Sequence, residues 1–341
     1  MFSAARTESP QTHRMPDPLL QQLQASLGTA YTLQRELGGG GMSRVFVARE
    51  EALQREVVVK VLTSDHVHEM SAERFAREIR VAARLQDPHI VPVLAAGTTS
   101  DGLPYYTMPF VRGQSLRARL AIGSVLLPEA VGILRDVARA LSHAHAYGVV
   151  HRDVKPENVL LSDGTAVVTD FGIAKALADA RTHGMPGRIS TGATLTEIGK
   201  SVGTPAYMSP EQAAGDTVDR RADVYAWGLM AYELLAGRHP FASRATPQQL
   251  LAAQISEMPA REGMEEHGTP DALAELVMRC LAKDPEQRPQ SASELLAALN
   301  AIASDSFTSA ARRPRSRRLV WWLVAIGLAI VVVVLLALRM R

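Results

Sequence analysis

The chain of 341 residues is 47% hydrophobic, which allows one sizeable globular core with additional tails. Its single cysteine, Cys280, excludes an internal disulfide and is typical of a protein from a reducing compartment. The net charge of +2 is misleading, because seven arginines lie beyond residue 311 and the remainder has 30 basic and 35 acidic residues, a net of −5. This mildly acidic remainder argues against nucleic-acid binding.

The first 30 residues are predicted to form a tail with one short helix. Residues 1 to about 16 are polar and lack the apolar core of a signal peptide. We expect the helix to pack on the domain that follows it rather than to bind a partner. Its prediction rests on leucines that recur at helical spacing, Leu19, Leu20, Leu23 and Leu27.

A glycine-rich turn separates two predicted strands within Tyr31 to Arg49. Amides of glycine can approach phosphate oxygens because no Cβ stands in the way. A glycine run between strands is weak evidence alone, since many hairpins contain one. The run follows Leu37 and consists of Gly38, Gly39, Gly40 and Gly41.

A lysine occupies the otherwise apolar strand Val57 to Leu62. Burying Lys60 would be costly without a partner, although a charge on an exposed edge strand is the simpler alternative. A helix is predicted from Ser71 to Gln86, and Glu78 shares its apolar face with Phe75. We therefore expect Glu78 to be the partner of Lys60.

Two further elements lead into the centre of the chain. Tyr105 to Gly113 is an apolar strand that runs into a loop, and Glu129 to Tyr147 is a helix ended by Gly148. His143 and His145 lie two positions apart near the end of this helix, and so on different faces. That spacing favours packing or exposure over metal binding.

The segment His151 to Gly172 is predicted to be a β-hairpin around an Asp-Gly turn. Because the hairpin folds back, Asp153 and Asn158 before it are expected close to Asp170 after it. Two carboxylates and an amide supply the oxygen ligands that Mg²⁺ prefers. Solvated surface acids would explain a lone acidic residue, but not this whole pattern.

The pattern H-R-D-x-x-x-x-N followed by D-F-G is a signature of protein kinases. On these motifs the chain resembles a bacterial eukaryotic-like (Hanks-type) serine/threonine protein kinase. The resemblance implies an α+β, two-lobed protein-kinase fold, with a small, mostly antiparallel β lobe plus a helix and a larger, mainly helical lobe. The domain would cover residues 31–303, divided into 31–110 and 111–303.

The resemblance also implies roles for the site residues. Asp153 would accept the substrate proton, Lys155 would neutralise charge on the transferred group, and Lys60 would hold the ATP phosphates. Asn158 and Asp170 would bind Mg²⁺ or Mn²⁺. The residues implied in ATP binding are Leu37, Gly38, Gly39, Gly40, Gly41, Val45, Val58, Lys60, Glu78, Met108 and Leu160.

This sequence departs from the family pattern at two positions of the nucleotide site. Ser43 replaces the third glycine of the turn, and Val58 replaces the alanine that usually lies against the adenine ring. The first change stiffens the turn, and the second narrows the pocket slightly and could weaken ATP affinity. Neither change removes a chemical group that the reaction needs.

The segment after Gly172, up to Met208, resembles a kinase activation loop. Thr194 and Thr196 are the predicted regulatory phosphosites, and Arg152 is the expected receiver of the phosphate. The resemblance of Lys155 and Thr204 to the serine/threonine-kinase pattern argues against tyrosine specificity. Two structural supports are also implied: an aspartate that anchors the catalytic loop, Asp223, and an ion pair, Arg288 with Glu211.

Two other classes of function are alternatives to an active kinase. A pseudokinase that only binds nucleotide or acts as a scaffold would be expected to lack one or more of Lys60, Asp153, Asn158 and Asp170, and all four are present. A small-molecule phosphotransferase of related fold is disfavoured by the activation-loop pattern and by the lysine of the catalytic loop, Lys155.

The C-terminal residues predict a membrane anchor. A basic linker, residues 304–318, precedes an uncharged run, residues 319–338, which as a helix would span roughly 30 Å at about 1.5 Å per residue. Trp321 and Trp322 lie where an interfacial aromatic belt would place them, and the arginine bias places the kinase domain in the cytoplasm. We expect a single-pass inner-membrane protein without an outer sensor domain, with membrane lipid, protein substrates and a possible homodimer as partners.

Overall fold

The computed structural model describes residues 17–40, 43–63, 72–171, 205–311 and 339. The described residues up to Leu296 belong to one compact unit, and those from Ala297 onward belong to a second. Elements are numbered in chain order among the described residues.

The small lobe is a five-stranded antiparallel sheet with two helices. Its strands lie in the order β1-β2-β3-β5-β4. The elements are α1 (Pro18–Leu27), β1 (Tyr31–Gly40), β2 (Ser43–Glu50), β3 (Arg55–Leu62), α2 (Ala72–Ala82), β4 (Ala95–Thr98) and β5 (Pro104–Pro109).

Strand β3 divides the small lobe into two apolar layers, because successive side chains of a strand point to opposite faces. Val57, Val59 and Val61 pack in one cluster with the α1 leucines Leu23 and Leu27. Even-numbered residues of the same strand, including Val58 and Leu62, pack on the other face with residues of α2 and β5. Lys60 therefore points to the face that carries the second cluster.

The large lobe is mainly helical and also carries a three-stranded sheet in the order β6-β7-β8. Together with the small lobe it confirms the predicted α+β, two-lobed architecture. Its elements are β6 (Gln114–Ser115), α3 (Leu116–Ile122), α4 (Leu127–Ala146), β7 (Val159–Ser162), β8 (Thr165–Val168), α5 (Pro210–Ala214), α6 (Arg221–Ala236), α7 (Pro247–Ser256), α8 (Glu262–Glu265), α9 (Asp271–Cys280) and α10 (Ala292–Ala311).

Helix α6 is the central helix of this lobe. Every residue from Ala222 to Ala236 is buried, as a helix that is apolar on all sides predicts. The indole of Trp227 donates a hydrogen bond to the carbonyl of Leu134 on α4, which fixes these two helices together. The N-terminal end of α6 thereby comes to lie against the segment that precedes β7.

The predicted hairpin is present as β7 and β8, joined by a turn at Asp163 and Gly164. A backbone bridge between Ile90 and Val168 ties β8 to the small lobe. Within the described part of the chain, no helix has the length and apolar character needed to cross a membrane. The predicted span, residues 319–338, lies outside the described residues.

Candidate active site

The loop before β7 holds Asp153 in a network of its own side chains. The Lys155 ammonium lies 2.7 Å from Asp153 Oδ2, and Asn158 Nδ2 donates both to Asp153 Oδ2, at 3.0 Å, and to the Asp153 carbonyl, at 2.8 Å. The carboxylate remains 38% exposed, so it is fixed in direction and still open to solvent.

The backbone of this loop is strained, and it is held by hydrogen bonds to an aspartate of α6. Arg152 has φ 67°, a left-handed conformation that is unfavourable for a residue with a Cβ. Both carboxylate oxygens of the fully buried Asp223 accept backbone N–H bonds, from His151 at 2.8 Å and from Arg152 at 2.7 Å. His145 Nε2 adds a contact of 2.8 Å to the same carboxylate. The hydrogen bonds to Asp223 offset the strain at Arg152, and they thereby help to set the direction of Asp153.

Asp170 follows β8 and is held by two residues of the small lobe. Lys60 Nζ lies 2.6 Å from its Oδ2, and the Tyr106 hydroxyl donates to its Oδ1 at 2.6 Å. Burial alone would raise the pKa of this carboxyl, but the Lys60 ammonium and the two hydrogen bonds outweigh burial and hold the pKa below its ordinary value. Asp170 is therefore an ionised carboxylate. Burial raises the pKa of Tyr106 well above its ordinary value, so that phenol is a neutral donor.

The segments that carry Asp153 and Asp170 are joined by hydrogen bonds of the hairpin base. The amide of Thr169 donates to the carbonyl of Asn158 at 3.0 Å, and His151 Nε2 donates to the carbonyl of Thr169 at 2.9 Å. The ring of Phe171 packs edge-on against His151, with 4.6 Å between centroids. The convergence of the two loops that the sequence predicted is thus present in the structure.

The residues predicted to surround adenine share one apolar cluster. Val58 and Met108 lie directly opposite each other in the ladder between β3 and β5 and are both buried. Val45 and Leu160 pack against the same cluster, each half-buried. Leu37 on β1 is instead 45% exposed.

The glycine turn continues β1 and pairs with β2. At Gly39 a Cβ would lie 2.3 Å from the carbonyl oxygen of Ser43, so only glycine fits at this close approach of two strands. Gly38 and Gly40 pair with β2 on either side of it. Gly41 lies outside the described residues.

Glu78 lies on α2, between the buried residues Phe75 and Ile79, and is itself half-buried. This position agrees with the predicted inward direction of Glu78. The predicted phosphosites Thr194 and Thr196 lie outside the described residues.

Sequence reasoning missed two groups of polar contacts around the site. The first is the hydrogen bond of Tyr106 to Asp170. The sequence predicts that Tyr106 lies in an apolar strand, but it does not reveal which residue of β3 Tyr106 faces. Arg117 on α3 donates to Glu157 at 2.8 Å and to Glu233 at 2.7 Å, and it also contacts the hydroxyl of Tyr207. An arginine between two acids 40 and 116 residues away leaves no local signal.

The protein kinase domain family matches residues 31–299. The chain belongs to the protein kinase domain family. Its match begins after α1, so that helix is an addition in front of the kinase domain that the family shares.

Relatives and solved structures agree with this assignment. The kinase chain is 40% identical over 279 residues to the serine/threonine-protein kinase PknB of Mycolicibacterium smegmatis, which covers 80% of this chain and 43% of the relative. PknB of Mycobacterium leprae is 39% identical over 284 residues, covering 82% and 44%. The crystal structure of the Mycobacterium tuberculosis PknI kinase domain has a TM-score of 0.59 at 30% identity and covers 80% of this chain and 95% of that chain. The chain spans less than half the length of the curated relatives it matches.

Membership in this family implies the use of ATP and of a divalent metal in general. The donors of the site fit such a metal, because Asp170 supplies carboxylate oxygens and Asn158, whose Nδ2 is used within the loop, can supply only its amide oxygen. Among the described residues, no three His, Cys, Asp or Glu side chains gather as a metal cluster. A cation held here would take its remaining ligands from nucleotide phosphates and water.

Proposed function

We propose that this chain is an active serine/threonine protein kinase that transfers the γ-phosphoryl group of ATP to hydroxyl groups of proteins. The observation that carries the proposal is that neighbouring side chains fix the direction of two carboxylates. Asp153 is oriented by Lys155 and Asn158, while Asp170 is held from the small lobe by Lys60. The similarity to kinases named as serine/threonine-specific supports the substrate class.

In the proposed reaction the hydroxyl oxygen of the substrate attacks the γ-phosphorus as the bond from the bridging oxygen to that phosphorus breaks. Asp153 accepts the hydroxyl proton, and ADP leaves with the bridging oxygen. Lys155 would neutralise the charge of the transferred group, and its position 2.7 Å from Asp153 supports this role. The chain's own contribution is positioning and electrostatics, because phosphoryl transfer requires little covalent participation from the enzyme.

We propose Mg²⁺ or Mn²⁺ as the metal, with Asn158 and Asp170 as its protein ligands. When bound, such a cation neutralises charge on the phosphates of ATP. Adenine would lie against the cluster of Val58 and Met108, and Lys60 would contact the phosphates. The glycine turn at the end of β1 would cover them. Two half-buried residues of the same cluster, Val45 and Leu160, support this placement.

Regulation by phosphorylation of Thr194 or Thr196 is part of the proposal. Arg152 is its support, since its guanidinium Nε is buried and has no hydrogen-bond partner within the part of the chain that the structure describes. An arginine with an unused donor is suited to receive a phosphate. Mass spectrometry of the active kinase is expected to find phosphate at Thr196, and an unmodified Thr196 in fully active protein would contradict this.

We also propose that residues 319–338 anchor the chain in the inner membrane, with the kinase domain in the cytoplasm. The support is the uncharged run of the sequence and the arginines that flank it. Lipid contact and a homodimer that phosphorylates itself in trans belong to this proposal. Removal of residues 319–338 is expected to move the protein from the membrane pellet to the supernatant, and an unchanged distribution would refute the anchor.

The catalytic proposal is tested with the full chain in detergent and radiolabelled ATP. Asp153→Asn is expected to abolish both self-labelling and labelling of a generic serine-rich protein substrate. Asp163→Asn is the matched control, because Asp163 lies in the exposed hairpin turn with φ 50°, which asparagine also adopts. Labelling that survives Asp153→Asn would refute the assigned site.

A further inference from the structure

Two residues that face each other across neighbouring strands contact a single carboxylate. Lys60 on β3 and Tyr106 on β5 are direct partners in the antiparallel ladder, so their side chains leave the sheet on the same face. Lys60 contacts Oδ2 of Asp170, and Tyr106 contacts Oδ1. Both oxygens of Asp170 are thus held by one cross-strand pair.

The apolar surroundings of Tyr106 show that packing alone does not require its hydroxyl group. The side chain is 1% exposed and belongs to an apolar cluster with Val58, Phe75 and Met108. Phenylalanine would fill this space and would carry no polar atom to satisfy. A buried hydroxyl is costly unless it is hydrogen-bonded, and the bond of this hydroxyl is the one to Asp170.

Strand β5 makes a second contact with the segment that follows β8, through Met108, two residues after Tyr106. The hydroxyl of Thr169 donates to the sulfur of Met108 at 3.4 Å. Tyr106 and Met108 are on the same face of β5 because they are two positions apart. One face of β5 therefore holds two consecutive residues, Thr169 and Asp170.

The space around these contacts is small. A cavity of about 10 Å³, lined by Tyr106, Met108, Thr169 and Asp170 among others, lies beside them. A cavity of this size can hold about one water molecule, so little free space adjoins the phenol ring on this side. Burial of the ring and the hydrogen bond to Asp170 together hold the Tyr106 hydroxyl in place.

We propose that Tyr106 is a positioning residue for Asp170 in metal-dependent nucleotide binding. Its phenol fixes Oδ1 and thereby directs Oδ2 toward the cleft, also when Lys60 exchanges Asp170 for phosphate. Hydrogen bonds to a ligating carboxylate commonly change metal affinity by roughly 10- to 100-fold. The proposal rests on the assignment of Asp170 as a metal ligand.

The test compares full-length wild-type protein with Tyr106→Phe, and with Tyr105→Phe as the matched control. Tyr105 is the neighbouring residue of β5, and its side chain points to the opposite face of the strand. We measure the Mg²⁺ concentration that gives half-maximal substrate labelling, and by calorimetry the affinity for ADP with and without Mg²⁺.

Tyr106→Phe is expected to raise the half-maximal Mg²⁺ concentration about 10-fold and to weaken Mg²⁺-dependent ADP binding by a similar factor. ADP binding without Mg²⁺ is expected to stay within about 2-fold, since Tyr106→Phe removes only the hydroxyl bonded to Asp170 and keeps the ring that packs with Val58 and Met108. A half-maximal concentration within 2-fold of that of Tyr105→Phe, or below it, would overturn the proposal. Tyr106→Met also lacks the hydroxyl donor, so it must raise the half-maximal Mg²⁺ concentration by the same factor. It replaces Tyr106→Phe in the test if the phenylalanine variant does not fold.

Asp170→Asn separates this inference from the assignment beneath it. If Mg²⁺ still strengthens ADP binding in Asp170→Asn, the assignment of Asp170 as metal ligand is wrong. If that effect is lost in Asp170→Asn while Tyr106→Phe behaves like the control, the assignment stands and only the role of Tyr106 is refuted.

Discussion

Lys60 Nζ lies 2.6 Å from Asp170 Oδ2, although 110 residues separate them in the chain. One residue belongs to the sheet of the small lobe, and the other follows a hairpin of the large lobe. The contact between these two residues therefore depends on the packing of both lobes. Changes far from the site can alter catalysis when they disturb one of the elements that hold these two residues.

We predict that Asp223→Ala lowers kcat about 100-fold. The variant frees two backbone amides, of His151 and Arg152, and hydrogen bonds to a charged acceptor contribute about 1.5–3 kcal/mol each. Arg152 can then relax from its left-handed conformation, and Asp153 loses its direction. Steady-state labelling rates at saturating ATP measure this.

Asp219→Ala is the control for that variant, since Asp219 lies just before the same helix but pairs with Arg221 at the surface. Its kcat is expected to stay near the wild-type value. Equal losses in both variants would show that the effect is one of general stability and not of loop position.

The buried ion pair between Arg288 and Glu211 is predicted to be essential for stability. Arg288 Nη1 lies 2.8 Å from Glu211 Oε1, and the arginine is 2% exposed. Arg288→Ala would leave Glu211 as an uncompensated buried charge, which costs roughly 3–5 kcal/mol. Urea unfolding monitored by fluorescence measures the free energy of unfolding.

The surface pair between Arg55 and Glu50 provides the comparison. Arg55 is 46% exposed, so Arg55→Ala is expected to cost less than about 1 kcal/mol. If Arg288→Ala and Arg55→Ala lower the free energy of unfolding by similar amounts, burial does not determine how much an ion pair contributes to stability.

Two glycines are predicted to respond to alanine in opposite directions. Gly113, just before β6, has φ 155°, and a Cβ there would lie 1.9 Å from the carbonyl oxygen of Leu161. Gly113→Ala should therefore destabilise the protein by about 1–3 kcal/mol through overpacking. Gly132, inside α4, has open space around it, and Gly132→Ala should stabilise by about 0.5–1 kcal/mol. Thermal unfolding of both variants checks the signs, and a loss of stability in Gly132→Ala would contradict the second.

Acid is predicted to destabilise the large lobe through His239. Its Nε2 donates to the carbonyl of Ala206 at 2.9 Å, and its Nδ1 accepts from the amide of Phe241 at 3.1 Å, so both nitrogens are used by the neutral ring. Burial, partly opposed by Glu233, lowers the pKa of His239 below the ordinary value of 6.5. The unfolded chain therefore binds the proton at higher pH than the folded chain does. This contribution to stability is complete above pH 6.5 and is lost as the pH falls below it.

Thermal unfolding between pH 7.5 and pH 5 measures the effect of His239. His239→Gln can keep a donor and an acceptor without titrating, so its unfolding temperature is expected to fall less over this interval than that of the wild-type protein. Identical pH profiles would exclude His239 as a source of acid sensitivity.

Local patterns in the sequence were sufficient for the elements and for much of the candidate site. The β-branched valines around Lys60 predict a strand, and the Asp163-Gly164 turn predicts a hairpin that brings Asn158 near the residues after β8. These predictions succeed because period, turn type and short loops act over a few residues. The family resemblance supplied the roles of those residues.

Tertiary structure alone decided which distant groups meet. The register between β3 and β5 places Tyr106 opposite Lys60, and a shift by one residue would turn the phenol away from Asp170. Likewise, only the packing of α6 brings Asp223 beneath the catalytic loop, where it offsets the strain of Arg152. Sequence determines which side chains are present and how each segment folds locally. The contacts that fix their direction depend on sheet register and helix packing, which are set by the burial of the whole core.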